Sequence, residues 1–330
     1  MEALSVYLQN PITLVLLLIV GFVLLVKGAD WLVDGASGLA KRFGVSDLVI
    51  GLTIVAFGTS MPEFVVNMVS VVEGTTDIAI TNILGSNIIN IFVILGLTAL
   101  VYPVASQKQS RDFDIPLSTI AGVLVLAAVS VTLPYESEKG ISRIGALILL
   151  GLFIVFIWKT SKNAKSDINP QEETSAEQPI KLGKAILLIV VGLIGLIVGG
   201  ELIVKSAVQI AVNLGVSDAI IGLTIVALGT SLPELATSVI AAFKKNSDIA
   251  MGNVIGSCIF NVFFVLGTSA LIKPLPAYEG VELDAIMATL GGALVWLFVK
   301  TNKQREIKRW QGGVFVLLYA AYLTYRLMNI

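Results

Sequence analysis

The sequence predicts an all-α membrane protein with ten transmembrane helices, arranged as two five-helix repeats of inverted topology. Three observations support this fold class. Hydrophobic residues fill 56% of the 330 positions, charged residues only 14%, and the mean hydropathy is +0.90. This composition is typical of a polytopic membrane protein. The chain also contains ten separate apolar stretches, and it carries one acidic motif twice.

The apolar stretches come close to the length of about 20 residues that a helix needs to cross the hydrocarbon core. The predicted helices cover 11–36, 46–72, 78–101, 116–133, 142–158, 183–211, 217–243, 249–272, 285–300 and 313–328. The one substantial polar segment, 160–182, is predicted to be a solvated linker. We therefore divide the chain into a first repeat (1–159), this linker (160–182) and a second, inverted repeat (183–330).

The two halves repeat each other without gaps around the motif. Residues 44–63 are identical to residues 215–234 at 16 of 20 positions, and residues 76–97 match residues 247–268 at 11 of 22. Five helices per half is an odd number, so the second half must enter the membrane from the opposite side. Inverted repeats are typical of secondary transporters, which bind their substrates near the membrane midplane between the repeats.

The distribution of lysine and arginine predicts the orientation of the helices. The loops after helices 1, 3, 5, 7 and 9 carry sixteen of these residues, whereas the other loops and the C-terminal end carry four. Basic residues concentrate on the cytoplasmic side of a membrane protein. We therefore expect a cytoplasmic linker and two extracytoplasmic termini, in an integral membrane protein.

The repeated motif is Gly-Thr-Ser-x-Pro-Glu, which ends at Glu63 in the first half and at Glu234 in the second. A carboxylate inside the membrane costs about 2.5–3.5 kcal/mol even on the lenient insertion scale, so two at matching positions indicate a functional site. The motif proline lacks an N–H and clashes one turn back, which should free backbone carbonyls to face a cation. The oxygen-bearing positions of this turn are Ala56, Thr59, Ser60 and Glu63, repeated as Ala227, Thr230, Ser231 and Glu234.

A second polar block follows each motif, with positions spaced four residues apart on one predicted helix face. These positions are Asn82, Ser86 and Asn90 in the first half and Asn253, Ser257 and Asn261 in the second. The predicted site is thus all oxygen, which suits hard cations such as Ca²⁺ and Na⁺. It has no soft ligands for zinc or copper. Two glutamates balance the charge of one Ca²⁺ or of two Na⁺, so competitive exchange at one site is physically sensible.

The composition also excludes several classes of function. The chain has no histidine, which removes imidazole metal sites and the Ser/His and Cys/His catalytic pairs. Its one cysteine, Cys258, rules out a disulfide framework. No basic cluster with interleaved aromatic residues suggests nucleic-acid binding. We expect no enzyme activity, no cofactor and no protein partner; the expected partners are Ca²⁺ and Na⁺ as substrates and the lipid bilayer.

At these motifs the chain resembles the sodium/calcium exchangers of the cation/Ca²⁺ exchanger superfamily, in their compact prokaryotic form. The resemblance covers essentially the whole chain. It implies electrogenic antiport of several Na⁺ against one Ca²⁺ by alternating access, with helices 1 and 6 sliding across a rigid site. It also implies the following ligands: Glu63 and Glu234 at the centre, with Thr59, Thr230, Ala56, Ala227, Ser60, Ser231, Ser86, Ser257, Asn90 and Asn261 around them.

One position departs from the pattern of this superfamily. Its sodium/calcium exchangers and their potassium-dependent relatives commonly carry aspartate at the position of Asn261, but both repeats of this chain carry asparagine there. The departure argues against K⁺ cotransport. Proton-coupled relatives typically show Gly-Asn-x-x-Glu, so the Thr-Ser-x-Pro form favours Na⁺. Exchange of H⁺ for Ca²⁺ and K⁺-dependent Na⁺/Ca²⁺ exchange stay open as alternatives, and a cation channel with the same oxygen-lined site is another.

Overall fold

The computed structural model describes residues 11–131, 139–164, 180–216, 221, 224–225 and 227–328. In the first half of the chain its helices are α1 (Pro11–Phe43), α2 (Asp47–Thr59), α3 (Met61–Glu73), α4 (Thr76–Val101), α5 (Ser110–Ser130) and α6 (Arg143–Asn163). In the second half they are α7 (Leu182–Asn213), α8 (Ala227–Thr230), α9 (Leu232–Phe243), α10 (Ser247–Ile272), α11 (Val281–Thr301) and α12 (Arg309–Met328).

Seven of the described helices are long and apolar enough to cross a membrane, and the bent pair α2 and α3 makes an eighth. These helices confirm the prediction of a helical integral membrane protein. The remaining two predicted spans correspond to α12 and to the segment 217–243, of which residues 217–220, 222–223 and 226 lie outside the described part.

Several helix ends differ from those predicted by hydropathy. Helix α1 continues from the predicted end at 36 to Phe43, since its last turn carries Lys41 and Arg42, whose charges suit a helix C-terminus. Helix α5 begins at Ser110 rather than at 116, and two polar residues of this added segment, Ser110 and Asp114, are buried within the protein. Of the predicted linker 160–182, residues 165–179 lie outside the described part.

π-helical turns, which were not predicted from the sequence, interrupt the helices that carry the polar motifs. They cover Gly51–Val55 in α2, Ile89–Leu95 in α4 and Phe260–Leu266 in α10. Such turns are rare and are found mostly at functional sites. Two of them contain Asn90 and Asn261, so these asparagines do not sit on the straight helix face that a four-residue spacing assumes.

Helices α4 and α10 form the centre of the protein, with 78% and 94% of their most apolar windows buried inside it. The long helices α1 and α7 pack along each other in antiparallel directions at glycines. A Cβ added at Gly28 would lie 2.7 Å from the carbonyl oxygen of Gly192, and one added at Gly21 would lie 2.9 Å from that of Gly199. The two backbones are therefore in direct contact.

Four two-residue strands join loops of the two halves. They are β1 (Val104–Ala105), β2 (Gly140–Ile141), β3 (Leu275–Pro276) and β4 (Glu306–Ile307). Strand β1 pairs antiparallel with β4, and β2 pairs antiparallel with β3. The loop between α4 and α5 is thus held to the loop between α11 and α12, and the loop before α6 to the loop before α11.

Candidate cation site

The acidic motif forms a break between two helices in each half of the chain. Helices α2 and α3 are bent by 45° at Ser60, whose φ and ψ are −85° and 8°. Ser231 has nearly the same values, −89° and 6°, in the sparsely populated region between helix and strand. Pro62 stands in the first turn of the new helix, where its missing N–H costs nothing. Glu63 and Glu234 therefore occupy first helical turns, where unpaired N–H groups and the helix dipole favour a negative charge.

The two motifs exchange hydrogen bonds between the halves. The Ser60 hydroxyl donates to Oε1 of Glu234 at 2.8 Å, and the Ser231 hydroxyl donates to Oε1 of Glu63 at 3.3 Å. All four side chains are buried. The two glutamates thus lie in one site at the centre of the protein, although they are 171 residues apart in the sequence.

A second serine supports each carboxylate from its own half. Ser86 on α4 donates to Oε1 of Glu63 at 3.2 Å, and Ser257 on α10 donates to Oε1 of Glu234 at 3.5 Å. The other carboxylate oxygen, Oε2, is buried in both glutamates and has no hydrogen-bond partner among the described residues. Each glutamate is therefore held by one oxygen and presents the other to the interior of the site.

Asn82 and Asn253 hold the backbone of the glutamates rather than adding a free ligand. The Asn82 amide donates to the Glu63 carbonyl at 3.3 Å, and the Asn253 amide donates to the Glu234 carbonyl at 3.2 Å. Asn253 also accepts a 3.0 Å hydrogen bond from the Thr59 hydroxyl of the opposite half. These bonds fix the first turns of α3 and α9 against α4 and α10.

Two polar residues that were not predicted from the sequence lie behind these asparagines. The Asn82 amide donates to Oδ1 of Asn67 at 2.8 Å, and the Asn253 amide donates to the Ser238 hydroxyl at 2.9 Å. Asn67 and Ser238 each lie four residues after a motif glutamate, hence on the same helix face. That spacing was the available signal for both.

Asn90 and Asn261 lie in the π-helical turns at the centre of α4 and α10, and both are buried. The Asn261 amide donates to Oδ1 of Asn87 at 3.1 Å. Neither polar atom of the Asn90 side chain, nor Oδ1 of Asn261, has a hydrogen-bond partner within the described residues. Asn87 also donates to the Cys258 carbonyl at 3.1 Å, so it joins α4 to α10 as a packing residue.

The Ala56 carbonyl is not freed by the motif proline, contrary to the prediction. It accepts a hydrogen bond from the Ser60 N–H at 3.0 Å. The Thr59 hydroxyl lies 3.3 Å from the same carbonyl, but its single proton has a closer acceptor in Asn253, at 3.0 Å. The physical reason is that proline removes the N–H four residues after Gly58, which leaves the partner of Ala56 in place. Ala227 and Thr230 form the two ends of the short helix α8.

The oxygen atoms of this site suit a hard cation. The described residues contain no group of three or more His, Cys, Asp and Glu side chains that could hold a metal ion. The formal charge of the cluster consists of Glu63 and Glu234 alone, and its other oxygens belong to hydroxyls and amides. Buried carboxylate oxygens without a protein partner are costly unless a cation or a proton neutralises them. Carboxylate, amide and hydroxyl oxygens are the ligands that Ca²⁺ and Na⁺ prefer.

Comparison with known proteins identifies the family. The family described as sodium/calcium exchanger protein matches residues 13–161 and 184–328, which is nearly the whole chain. The chain belongs to this sodium/calcium exchanger family. It is 34% identical to the sodium/calcium exchanger MaX1 of Methanosarcina acetivorans, over 93% of this chain and 97% of that protein. It is 40% identical to the inner membrane protein YrbG of Escherichia coli, over 78% of this chain and 79% of that protein.

The fold agrees with that of a solved exchanger. The structure of the sodium–calcium exchanger NCX_Mj, soaked with Na⁺ and Sr²⁺, matches 96% of this chain with a TM-score of 0.81 at 34% sequence identity, and 99% of that chain is covered. Family membership and this structural match confirm the resemblance drawn from the motifs. They also confirm the prediction of a transporter rather than an enzyme.

Proposed function

We propose that this exchanger moves Na⁺ and Ca²⁺ in opposite directions across the membrane, by alternating access to the site of Glu63 and Glu234. One observation carries the proposal: two buried carboxylates, one from each half, are cross-linked by serines of the opposite motif. Two negative charges are neutralised equally well by one Ca²⁺ or by two Na⁺. Binding of one ion species therefore excludes the other, which is the requirement for exchange.

The proposed architecture is ten transmembrane helices in two inverted repeats, 1–159 and 183–330, joined by the cytoplasmic linker 160–182. The strand pairs support this topology. Pairing of β1 with β4 requires the third and ninth loops to lie on one side of the membrane, and pairing of β2 with β3 requires the fourth and eighth loops to share a side. Helices that alternate in direction through ten spans meet both requirements. The excess of Lys and Arg in the odd loops places them in the cytoplasm and both termini outside.

The proposed ligands form a central group and an outer group. The central group is Glu63, Glu234, Asn90 and Asn261, each of which has a buried side-chain oxygen without a hydrogen-bond partner among the described residues. The outer group is Thr59, Thr230, Ser60, Ser231, Ser86, Ser257 and the carbonyls of Ala56 and Ala227. The Ala56 carbonyl is the member that the geometry supports least, because it already accepts the helical hydrogen bond from the Ser60 N–H.

The mechanism that we propose has a rigid site and a mobile helix pair. Helices α4 and α10 are the most buried of the long helices, so the groups that they carry stay fixed. Helices α1 and α7 are packed on each other at glycines and expose many apolar side chains, so they can move together as one unit. Sliding of this unit would open the site to one side of the membrane and close it to the other.

Uptake into reconstituted vesicles tests the proposed function. Vesicles loaded with Na⁺ should accumulate Ca²⁺, and uptake should stop when the Na⁺ gradient is removed. Uptake that follows an imposed proton gradient and ignores Na⁺ would instead establish H⁺/Ca²⁺ exchange. An absolute requirement for K⁺ would establish the potassium-dependent form, and flux without any counter-ion would establish a channel.

Charge removal at the site tests the ligands. Glu63→Gln and Glu234→Gln keep the size of the side chain but lower the formal charge of the site from −2 to −1. Each variant should lose Na⁺-driven Ca²⁺ uptake, because a divalent ion is no longer balanced. Glu279→Gln, at an exposed position before α11, is the matched control and should transport normally. Normal transport by both site variants would contradict the assignment.

A further inference from the structure

The end of helix α9 is tied to the middle of helix α1 by two ion pairs. The Lys244 ammonium lies 2.6 Å from Oδ1 of Asp30 and 2.6 Å from Oδ1 of Asp34. It also donates to the Asp30 backbone carbonyl at 3.2 Å. Partial burial lowers the pKa of Lys244, but the hydrogen bonds and charges of both aspartates outweigh this effect and raise it above its ordinary value. The lysine is therefore charged, and it joins the mobile helix pair to the helix whose first turn carries Glu234.

The neighbouring residues strengthen the same junction. The Asn246 amide donates to Oδ2 of Asp47 at 2.5 Å and to the Ser37 hydroxyl at 3.0 Å. The Ser37 hydroxyl donates in turn to the Asp47 carboxylate at 3.2 Å. In the proposed topology this junction lies on the cytoplasmic side, because it joins the first and seventh loops.

The sequence repeat supplies the equivalent positions on the other side of the membrane. A shift of 171 residues, the spacing of the two motifs, takes Asp34 to Lys205. The same shift relates Glu73 to Lys244. The charges have changed sign at both positions, yet the pair is again complementary. On one side of the membrane a carboxylate on α1 faces a lysine after α9. The equivalent positions on the other side are a lysine on α7 and a carboxylate at the end of α3.

In this structure the second pair is apart. The Lys205 ammonium lies 2.6 Å from the carboxylate of Glu201, on its own helix, and Glu73 is exposed. Helix packing shows the same asymmetry: α1 packs along α9, whereas the equivalent helices α7 and α3 make almost no contact. All four of these helices lie within the described residues. The structure therefore has the cytoplasmic junction closed and the extracytoplasmic junction open.

We propose that Lys244 with Asp30 and Asp34, and Lys205 with Glu73, are two ion-pair latches that form alternately in the transport cycle. The cytoplasmic latch is closed here, which in this proposal corresponds to the state that opens towards the outside. When α1 and α7 slide to the opposite position, Lys244 leaves the aspartates, and Lys205 exchanges Glu201 for Glu73. The inference rests on the alternating access of the proposed function, and it adds residues that set the balance between the two access states.

Paired cysteines test whether the latches alternate. One variant carries Asp34→Cys with Lys244→Cys and the other carries Glu73→Cys with Lys205→Cys; a cleavable bifunctional maleimide is applied to each in vesicles. The native chain is the control, since its one cysteine is buried. Both pairs should cross-link, each cross-link should stop transport, and cleavage should restore it. If the 34–244 pair reacts but the 73–205 pair does not react under any Na⁺ or Ca²⁺ condition, the proposal is wrong.

Charge reversal tests whether the ion pairs set the balance. Lys244→Glu places a third carboxylate beside Asp30 and Asp34, and should shift the ratio of the two access states about five-fold towards the inward-open one, the size expected for partly exposed ion pairs. Glu73→Lys should shift the ratio in the opposite direction, and Glu73→Lys with Lys205→Glu should restore it. Distances between spin labels on α1 and α9 measure the ratio. Equal ratios in all variants would contradict the proposal.

These measurements separate the latch from the proposed function. Label distances and cross-links report the two access states in vesicles that contain no ion gradient. If the two latches form alternately but the protein shows no Na⁺-driven Ca²⁺ uptake, the latch proposal stands and the exchange reaction is rejected. If Na⁺-driven uptake occurs but the ratio of the two access states does not respond to the charge changes, the latch proposal is rejected and the exchange reaction stands.

Discussion

The hydroxyl of Ser60 donates a 2.8 Å hydrogen bond to the carboxylate of Glu234, a residue of the opposite half of the chain. The matching bond from Ser231 to Glu63 is longer, at 3.3 Å. Each serine sits at the break before a motif glutamate and orients the glutamate of the other half. Neither half therefore contains a complete site, and the position of each carboxylate depends on the fold of both.

Removal of the shorter of these bonds should weaken ion binding more. A hydrogen bond to a charged group contributes about 1.5–3 kcal/mol, and the same hydroxyl oxygen is also lost as a ligand. We expect Ser60→Ala to raise the Ca²⁺ concentration for half-maximal transport by about ten-fold or more, and Ser231→Ala to raise it less. Titration of Ca²⁺ uptake in vesicles measures both values.

A hydroxyl outside the site provides the control. The Thr324 hydroxyl donates only to the Ala320 carbonyl of its own helix, α12. Thr324→Ala should leave the half-maximal concentration unchanged. An equal effect of all three substitutions would show that the serine contacts do not govern ion affinity.

The two central asparagines should respond differently to conversion into aspartate. Asn90→Asp adds a third carboxylate without breaking a hydrogen bond, since the Asn90 side chain has none among the described residues. Asn261→Asp also removes the amide that donates to Asn87, and so places two oxygens against each other. We expect both variants to need an additional cation or proton for neutrality, and Asn261→Asp to be the less stable protein.

Ion competition and thermal unfolding in detergent measure these two effects. The Hill coefficient for Na⁺ inhibition of Ca²⁺ binding should rise, or Ca²⁺ binding should become dependent on pH, in both variants. The unfolding temperature should fall more for Asn261→Asp. Unchanged Na⁺ and pH dependence in both would mean that neither position lies close enough to the ions to alter their charge balance.

The composition and the duplicated motif are sufficient to predict the helical membrane fold. They also predict that Glu63 and Glu234 lie together in one buried site. Local sequence reasoning works there because each motif is contiguous and its proline acts on its own turn. It fails at Ala56, because Pro62 removes only the N–H that would bond the Gly58 carbonyl, whereas the Ser60 N–H still bonds the Ala56 carbonyl. It also does not predict the π-helical turns. A π-helical turn leaves no pattern in hydropathy.

Contacts between the two halves of the chain are a second kind of structural feature that the sequence does not reveal. Sequence spacing offers Asp30 the neighbouring Lys27 on its own helix, but Asp30 pairs with Lys244. Spacing works for Glu201, because its partner Lys205 lies one helical turn away. Sequence spacing identifies neighbours within a helix, whereas Asp30 and Lys244 meet only after α1 has packed against α9.

Asn253 should contribute more to stability than its counterpart Asn82. Its side chain bonds the Glu234 carbonyl, the Ser238 hydroxyl and the Thr59 hydroxyl, and it is fully buried. A buried group left without its partner costs about 1–3 kcal/mol. We expect Asn253→Ala to lower the unfolding temperature in detergent more than Asn82→Ala, which removes two bonds from a partly exposed position. If Asn82→Ala lowered the unfolding temperature more, the hydrogen bond between Asn253 and Thr59, which joins the two repeats, would add little to stability.

Gly28 should be intolerant of any side chain, because the close contact of α1 and α7 occurs there. A Cβ would lie 2.7 Å from the Gly192 carbonyl oxygen and 2.8 Å from the Leu196 backbone nitrogen, and backbone atoms cannot turn away as a side chain can. Gly28→Ala should therefore separate the two helices and destabilise the protein by about 1–3 kcal/mol. Gly151→Ala on α6 is the control: a Cβ there meets no atom within 4 Å, and removal of a helical glycine should stabilise by about 0.5–1 kcal/mol. Unfolding temperatures of the two variants should thus move in opposite directions, and a stable Gly28→Ala protein with normal transport would show that α1 and α7 do not need direct backbone contact to move together.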